Sequence, residues 1–222
     1  MAQSRLTLNR TLIAQIPVKP PTSSGVSMNL KDKVLLLLKE GCADPGPFRW
    51  LSALDFIYES EGKICVDAKE DLALWAVLNN VLRESEAAPY LSWRAFESYV
   101  MKVFDSLGFE TIHSLRVRIP GRMMEFDVVA YDGKKVIVVE CKRWQRSSPS
   151  ALRRIAEEHR AKVFKASEHL SKYGKVALPL VITLRGKPMF LDSIVVPIRY
   201  LKDLTEHLDQ LFYEFEVVKL QQ

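Results

Sequence analysis

The sequence predicts an α/β protein in which a central mixed sheet is flanked by helices and preceded by a small N-terminal helical domain. Two β-rich segments on either side of Asp132-Gly133 are typical of a hairpin. Residues 176–184 are apolar on both faces, as in a buried strand. Residues 93–107 carry apolar side chains at helical spacing. The core should therefore follow the order helix, three strands, helix, strand (αβββαβ).

Length and composition allow more than one structural unit. The 222 residues are 48% hydrophobic and 27% charged, which is enough for one full domain and a smaller one. The net charge of +5 is compatible with a polyanionic partner. We divide the chain into a flexible arm (residues 1–28), a helical domain (29–88) and the α/β domain (89–222).

Apolar runs and cysteines indicate the compartment. The longest apolar run, residues 34–38, is far shorter than the roughly 20 residues of a membrane span, so no membrane association is expected. Cys42, Cys65 and Cys141 are far apart and lack ligand spacing, so we expect neither a disulfide framework nor a zinc site. These features predict a cytoplasmic protein.

The N-terminal region is predicted to form three helices. Asn29 can cap a helix over residues 30–40 that ends at Gly41. Residues 50–58 and 67–84 form the second and third helices. Four acidic and two basic side chains in the third helix argue against a groove-reading role. We favour a helical cap or a dimerisation element over a DNA-reading helix-turn-helix.

The hairpin brings ionisable residues to the ends of two strands. With the turn at Asp132-Gly133, alternation places Asp127, Glu140 and Lys142 on one face of the sheet. Asp127 is then diagonal to Glu140, about 7 to 8 Å away between backbones, so both carboxylates can reach one cation. The pattern predicts a metal site. The alternative is a surface hairpin whose acids and lysine face water.

The helix over residues 93–107 carries a carboxylate on or beside its apolar stripe. Ser92 can cap this helix and Gly108 can end it. Glu97 lies four residues after Trp93, at the edge of the stripe, where an unpaired charge is costly. We predict that Glu97 points towards the metal face of the hairpin. The alternative is a glutamate at the margin of the stripe that faces solvent.

Basic residues follow the hairpin. Ser148 or Ser150 can cap a helix that begins near Pro149, so its amide end would lie close to Glu140 and Lys142 and could receive a phosphate. The alternative is a solvated basic helix. The four histidines show no ligand spacing and are assigned no chemistry. The residues predicted to bind nucleic acid are Arg143, Arg146, Ser148, Arg153 and Arg154.

The order of these residues resembles that of the PD-(D/E)XK nuclease superfamily. The Phe96-Glu97 helix and the segment from Glu140 to Trp144 are most similar to Mrr-type restriction endonucleases and to their archaeal Holliday-junction resolvase relatives. The resemblance covers roughly residues 91–184 and implies a restriction-endonuclease-like core, with 89–222 as the nuclease-like domain. Phe126 stands where the motif has proline.

The resemblance also implies a role for each polar residue. Asp127 and Glu140 would hold Mg²⁺, with Mn²⁺ as a substitute, and the main-chain carbonyl of Cys141 would add a ligand. Lys142 would orient the attacking water, and Glu97 would support the metal or its water. The predicted register also puts Glu125 opposite Glu140, so Glu125 would replace Asp127 if the hairpin contained a bulge.

The sequence therefore predicts a metal-dependent endonuclease that hydrolyses DNA phosphodiester bonds in restriction, repair or branched-DNA processing. Hard cations held by carboxylates, with a lysine alongside, suit the charge that develops on phosphorus. A homodimer is plausible, and no organic cofactor is expected. The alternative is a catalytically weak or inactive nuclease-fold module that binds nucleic acid or a partner protein.

Overall fold

The computed structural model describes residues 28–142 and 148–221. Its first helix, α1 (Leu30–Glu40), begins at Asn29, whose side chain accepts a hydrogen bond from the amide of Asp32 at 2.9 Å. It ends at Gly41, which has a φ of 89° that glycine adopts without strain. The predicted helix over residues 30–40 is confirmed. The predicted arm lies, except for Met28, outside the described residues.

A small antiparallel sheet follows α1, so the predicted helix over residues 50–58 is wrong. A 3₁₀-helix (Gly46–Ala53) precedes the strands β2 (Ile57–Ser60) and β3 (Lys63–Val66). Glu61 and Gly62 both have positive φ, 50° and 78°, which is the geometry of a tight two-residue hairpin turn. The N-terminal region is therefore not helical throughout.

A disulfide bond joins Cys42 and Cys65, which corrects the expectation that the cysteines are unpaired. Cys42 begins the short strand β1 (Cys42–Ala43), and it lies directly opposite Cys65 in the pairing of β1 with β3. The sheet order is β1-β3-β2. The bond was not predicted because β1 and β3, which bring the two residues together, lie between the predicted helices and were not predicted as strands.

The predicted helix over residues 67–84 is shorter in the structure. It is α2 (Lys69–Leu78), which ends at Asn79 and is followed by Asn80 with a positive φ of 56°. A separate short helix, α3, covers Glu84–Ala87. Six consecutive residues of α2, from Leu72 to Val77, are buried. Helix α2 therefore lies inside the core.

The central sheet is mixed and confirms the predicted restriction-endonuclease-like core. Its strand order is β4-β5-β6-β7-β9-β8, with β10 paired to β7. Strands β4, β5 and β6 are antiparallel, whereas β6, β7 and β9 are parallel. The strands are β4 (Glu110–Ile119), β5 (Arg122–Tyr131), β6 (Lys135–Lys142), β7 (Val176–Thr183), β8 (Met189–Phe190), β9 (Ile194–Pro197) and β10 (Val218–Lys219).

Helices cover both faces of this sheet. Helix α4 (Trp93–Ser106) begins at Ser92, which accepts from the amide of Ala95 at 3.1 Å, as predicted. Its buried residues share one apolar cluster with α1, α2, β6 and β7. Helix α5 (Pro149–Lys165) packs on the other face with β5 and β6. The N-terminal residues from Val34 onward therefore share a core with the sheet.

Short helices complete the fold. Helix α6 (Ser167–Leu170) follows α5, and α7 (Leu201–Glu206) and α8 (Leu208–Glu214) follow β9. None of the helices in residues 28–142 and 148–221 is both long and apolar enough to cross a membrane.

The turn between β5 and β6 differs from the predicted one by one residue. Tyr131 pairs with Val136, so the turn residues are Gly133 and Lys134. The Asp132 carboxylate accepts hydrogen bonds from the amides of Lys134 and Lys135 at 2.8 and 2.7 Å and stabilises this turn.

The new turn shifts the pairing register by two residues. Val129 pairs with Val138, so the predicted pairing of Asp127 with Val138 and of Glu125 with Glu140 is wrong. A shift of two residues by itself moves no side chain to the other face, because side chains alternate with a period of two. The alternation breaks around Asp127, where Phe126 packs in one apolar cluster with Val129 while Val128 packs in the other. Continued along the strands, the observed register brings Asp127 level with Glu140.

Candidate active site

The candidate site lies where β5 and β6 part. The last pair between these strands is Val128 with Val139, although both strands continue. Beyond it, Oδ2 of Asp127 accepts a hydrogen bond from the amide of Cys141 at 2.7 Å. A side-chain carboxylate therefore replaces the backbone acceptor that the next pair would have supplied. This contact fixes Asp127 beside Glu140.

Asp127 is surrounded by groups that oppose its ionisation. Burial raises its pKa to about 6, and the charges of Glu140 and Glu97 add to the increase. The hydrogen bond from Cys141 and the charge of Lys162 act in the opposite direction. The shift indicates that three carboxylates, from α4, β5 and β6, lie within electrostatic reach of one another.

Two lysines bind the two oxygens of Glu140. Nζ of Lys142 lies 2.6 Å from Oε1, and Nζ of Lys162 lies 2.9 Å from Oε2. Burial opposes ionisation of Glu140, but the hydrogen bond from Lys142 and the charge of Lys162 outweigh it and lower its pKa. Glu140 is therefore ionised at neutral pH.

Glu97 is buried and paired with a histidine. Its side chain is only 6% exposed, and its Oε2 accepts a hydrogen bond from a ring nitrogen of His113 at 2.7 Å. The structure therefore rules out the solvent-facing alternative for Glu97. His113 lies on β4 opposite Val128 of β5. Strand β4 therefore supplies a partner for Glu97 that the sequence did not indicate.

Helix α5 contributes His159 and Lys162, neither of which was predicted as a site residue. Nε2 of His159 donates to the carbonyl of Val138 at 2.8 Å, and Nδ1 lies 3.8 Å from Oε2 of Glu140. Burial lowers the pKa of His159 to about 4, so the ring is neutral at pH 7. The sequence could have indicated that His159 is buried, because this residue shares an apolar stripe of the helix with Ile155 and Val163.

Glu125 does not replace Asp127. Its side chain is exposed and forms an ion pair with Arg116 at 2.8 Å, opposite it in the β4–β5 pair. It makes no contact with Glu140 among those found in the described part of the chain.

The predicted nucleic-acid residues fall into two groups. Arg143 and Arg146 lie outside the described residues. Ser148 caps α5, as predicted, by accepting from the amide of Ala151 at 3.2 Å. Arg153 and Arg154 are exposed on the first turns of α5, and Arg154 forms a loose ion pair with Glu158 at 3.7 Å. Ser148 and both of these arginines are therefore open to solvent at the start of the helix.

The carboxylates provide oxygen ligands for a cation. Asp127 and Glu140 are hard donors, and Mg²⁺ is commonly bound by one or two carboxylates, with waters and substrate phosphates as further ligands. A cation between them would offset the repulsion that contributes to the raised pKa of Asp127. Within residues 28–142 and 148–221, no group of three or more Asp, Glu, His or Cys side chains is arranged as a metal site. The fit of this site to Mg²⁺ therefore rests on the two carboxylates of Asp127 and Glu140.

Cys141 offers a main-chain carbonyl rather than a thiolate. Its side chain is fully buried in the apolar cluster beneath α4. Burial raises the pKa of this thiol well above its ordinary value, so it stays protonated and is a poor metal ligand.

A family comparison agrees with this geometry. Residues 89–168 match the family model Mrr_cat, described as "Restriction endonuclease". The matched stretch runs from before α4 into α6 and contains Glu97, Asp127, Glu140 and Lys142. The match is to a PD-(D/E)XK-type nuclease domain and confirms the resemblance inferred from the sequence.

Three solved structures are similar to the chain at low identity. AF1548, a protein of unknown function, is 17% identical over 50% of this chain and 52% of its own, with a TM-score of 0.33. VC1899 from Vibrio cholerae is 17% identical over 85% and 46%, with a TM-score of 0.38. Can2 from Sulfobacillus thermosulfidooxidans, in complex with cyclic tetra-adenylate, is 12% identical over 81% and 50%, with a TM-score of 0.39.

The chain spans about half the length of each of these three proteins. No curated protein matches it.

Proposed function

We propose that the protein is a Mg²⁺-dependent endonuclease that hydrolyses DNA phosphodiester bonds in restriction, repair or branched-DNA processing. The observation that supports this most is the meeting of Asp127, Glu140 and Lys142 where β5 and β6 part, inside a nuclease domain. We also propose a cytoplasmic location, where a protein that cleaves cellular DNA would meet its substrate.

The charge of each side chain determines the role that we propose for it. Asp127 and Glu140, with the main-chain carbonyl of Cys141, would hold Mg²⁺ or Mn²⁺, which supplies an activated water and neutralises charge on the phosphate. Lys142 already lies 2.6 Å from Glu140, so its ammonium group would stand beside the attacking water and the developing negative charge. Glu97 would support the metal or its water, with its carboxylate held by the hydrogen bond from His113.

The substrate would approach along basic groups. The exposed Arg153 and Arg154, together with the amide end of the helix that Ser148 caps, would bind backbone phosphates. We include Arg143 and Arg146 in this surface on the basis of sequence alone. Cutting both strands of a duplex with one site per chain would take two copies, so we propose a homodimer for that reaction.

One observation favours a second candidate function. Both oxygens of Glu140 are engaged by lysines, which leaves a cation to compete with two ammonium groups. A module that binds nucleic acid or a partner protein with little or no cleavage would tolerate this arrangement. Such a module would bind DNA with an affinity that does not depend on a divalent cation.

Cleavage of a defined oligonucleotide panel tests the proposal. Labelled duplex, flap, junction and single-stranded DNA would be incubated with Mg²⁺, Mn²⁺ or chelator. We expect cleavage of at least one form with a cation, none with chelator, and a loss of about a hundredfold or more in Lys142→Ala. The matched control is Lys172→Ala, which removes an exposed lysine near Tyr173. Intact DNA in every form, with well-folded protein, would favour the binding module.

A further inference from the structure

Lys162 holds a position that the proposed reaction does not explain. Its Nζ lies 2.9 Å from Oε2 of Glu140 and 4.8 Å from the centre of the Phe126 ring. Lys142, from the strand itself, binds the other oxygen of the same carboxylate. One of the two lysines occupies the place on Glu140 where a divalent cation would bind.

The attachment of Lys162 differs from that of Lys142. Lys162 projects from α5, which is anchored three residues earlier by the bond from His159 to the carbonyl of Val138 and one residue later by the buried Val163. The backbone is therefore fixed, while the four-carbon side chain is 25% exposed and can turn away from Glu140. Phe126 offers a ring face that favours a nearby ammonium group.

A cleft on the outer side of Lys162 gives the side chain a second position. This cleft, between α5 and the β4–β5 hairpin, has a volume of about 450 Å³. Arg122 and Lys165 also line it, and neither forms an ion pair within the described residues. The acids that line it are both paired with arginines, Glu125 with Arg116 of β4 and Glu158 with Arg154 of α5. The cleft is therefore electropositive and can accept an anionic group.

We propose that Lys162 is a positioning lysine that binds Glu140 while no cation is present and turns to a nucleic-acid phosphate in this cleft when a divalent cation takes its place. The inference rests on the proposed function. A cation and an ammonium group compete for the same carboxylate oxygen and repel each other, so binding of one disfavours the other. Cation binding thereby adds one phosphate contact, which couples metal loading to substrate binding.

Calorimetry without DNA tests the first half of this exchange. In Lys162→Met the apolar stem over Phe126 remains but the competing charge is lost, so we expect Ca²⁺ to bind about tenfold more tightly than in wild type. Lys172→Met, which removes a charge elsewhere on the surface, should leave the affinity unchanged. If Lys162→Met binds Ca²⁺ no more tightly than wild type, Lys162 does not compete with a cation for Glu140 and the proposal is wrong. Should this variant fail to fold, Lys162→Gln provides the same comparison.

DNA binding tests the second half. Fluorescence anisotropy with a short duplex would be measured across a salt series, in chelator and in Ca²⁺. In chelator, wild type and Lys162→Met should bind alike, because Lys162 is held by Glu140. In Ca²⁺ the variant should bind at least about threefold more weakly, with a salt slope smaller by about one. Equal weakening in both conditions, or none in Ca²⁺, would overturn the inference.

The outcomes separate the two proposals. If wild type cleaves DNA but Lys162→Met binds Ca²⁺ like wild type, only the lysine exchange fails. If wild type cleaves no member of the panel, the proposed function fails, and the calorimetric comparison still decides whether Lys162 competes with a cation for Glu140.

Discussion

Asp127 and Asp132 lie five residues apart at opposite ends of the β5–β6 pair, and their surroundings differ. At the turn, burial opposes ionisation of Asp132, but hydrogen bonds from the amides of Lys135 and Lys134 together outweigh it and lower its pKa. At the open end, Asp127 accepts one amide, is more deeply buried, lies near Glu140 and Glu97, and has its pKa raised to about 6. Two backbone amides donate to the carboxylate of Asp132, whereas only one donates to that of Asp127.

Under the proposed function, this difference separates a structural aspartate from a catalytic one. Two backbone donors stabilise the charged form of Asp132 and order the turn, so no further ligand is needed. At Asp127 the fold keeps a carboxylate among other acids, an arrangement that a bound cation would relieve. The same residue type therefore has opposite roles because of the number of N–H donors and negative charges around it.

Replacement of each aspartate by asparagine should give the largest difference between the two sites, measured as the rate of DNA cleavage. In Asp127→Asn, DNA cleavage should fall by about a hundredfold or more, since a cation ligand is lost while the amide oxygen still accepts from Cys141. In Asp132→Asn, cleavage should stay within about twofold of wild type, because an amide oxygen still accepts the turn amides. Initial cleavage rates under the same conditions provide the measurement, and equal losses in both variants would remove the distinction.

Truncation of Asp132 should reveal its structural role. Asp132→Ala leaves the amides of Lys134 and Lys135 without their acceptor, so the free energy of unfolding should fall by about 1 kcal/mol. Urea denaturation measures this change. Asp132→Asn is the matched control and should stay close to wild type. An Asp132→Ala variant as stable as wild type would show that the turn does not need the side chain.

The smallest expected effect is a pH-dependent change in stability at Asp127. Its folded pKa of about 6 exceeds the ordinary 3.8, so the fold disfavours the ionised form, and wild type loses stability as pH rises from about 4 to about 6. In chelator, Asp127→Asn should melt about 2 to 4 °C above wild type at pH 7.5, with no such gain at pH 4.

The contribution of His159 to the pH dependence of stability must be separated from that of Asp127, because the two contributions have opposite signs. With a folded pKa of about 4 against an ordinary 6.5, it contributes stability above pH 6.5 that is lost as pH falls towards 4. It is present in both proteins, so it cancels when the two melting temperatures are subtracted at each pH. A difference that does not grow with pH would contradict the assignment for Asp127.

Local patterns were enough to find most of the candidate site. Glu97 was visible because a carboxylate beside an apolar helical stripe needs a partner, and the structure supplies His113. Asp127, Glu140 and Lys142 were placed on one face although the predicted turn was wrong by one residue. The resulting register error was two residues, and a side-chain period of two makes such an error harmless to the choice of face.

Other features depended on packing between distant segments. The disulfide between Cys42 and Cys65 was missed because it depends on the pairing of two short strands far apart in the sequence. Lys162 was missed because the rotation of α5 about its axis is set by its packing on β5 and β6. That rotation decides which of many basic side chains on the helix points at Glu140.

The amino-acid sequence by itself determined the αβββαβ order, the faces of the strands and the acidic and basic residue types at their ends, because these follow from periodicities within single segments. The tertiary structure alone decided the partners: Cys141 for Asp127, His113 for Glu97, and Lys162 for Glu140. Each of these contacts joins side chains or amides 14 to 22 residues apart, and only the packed sheet and helices bring them within hydrogen-bonding distance.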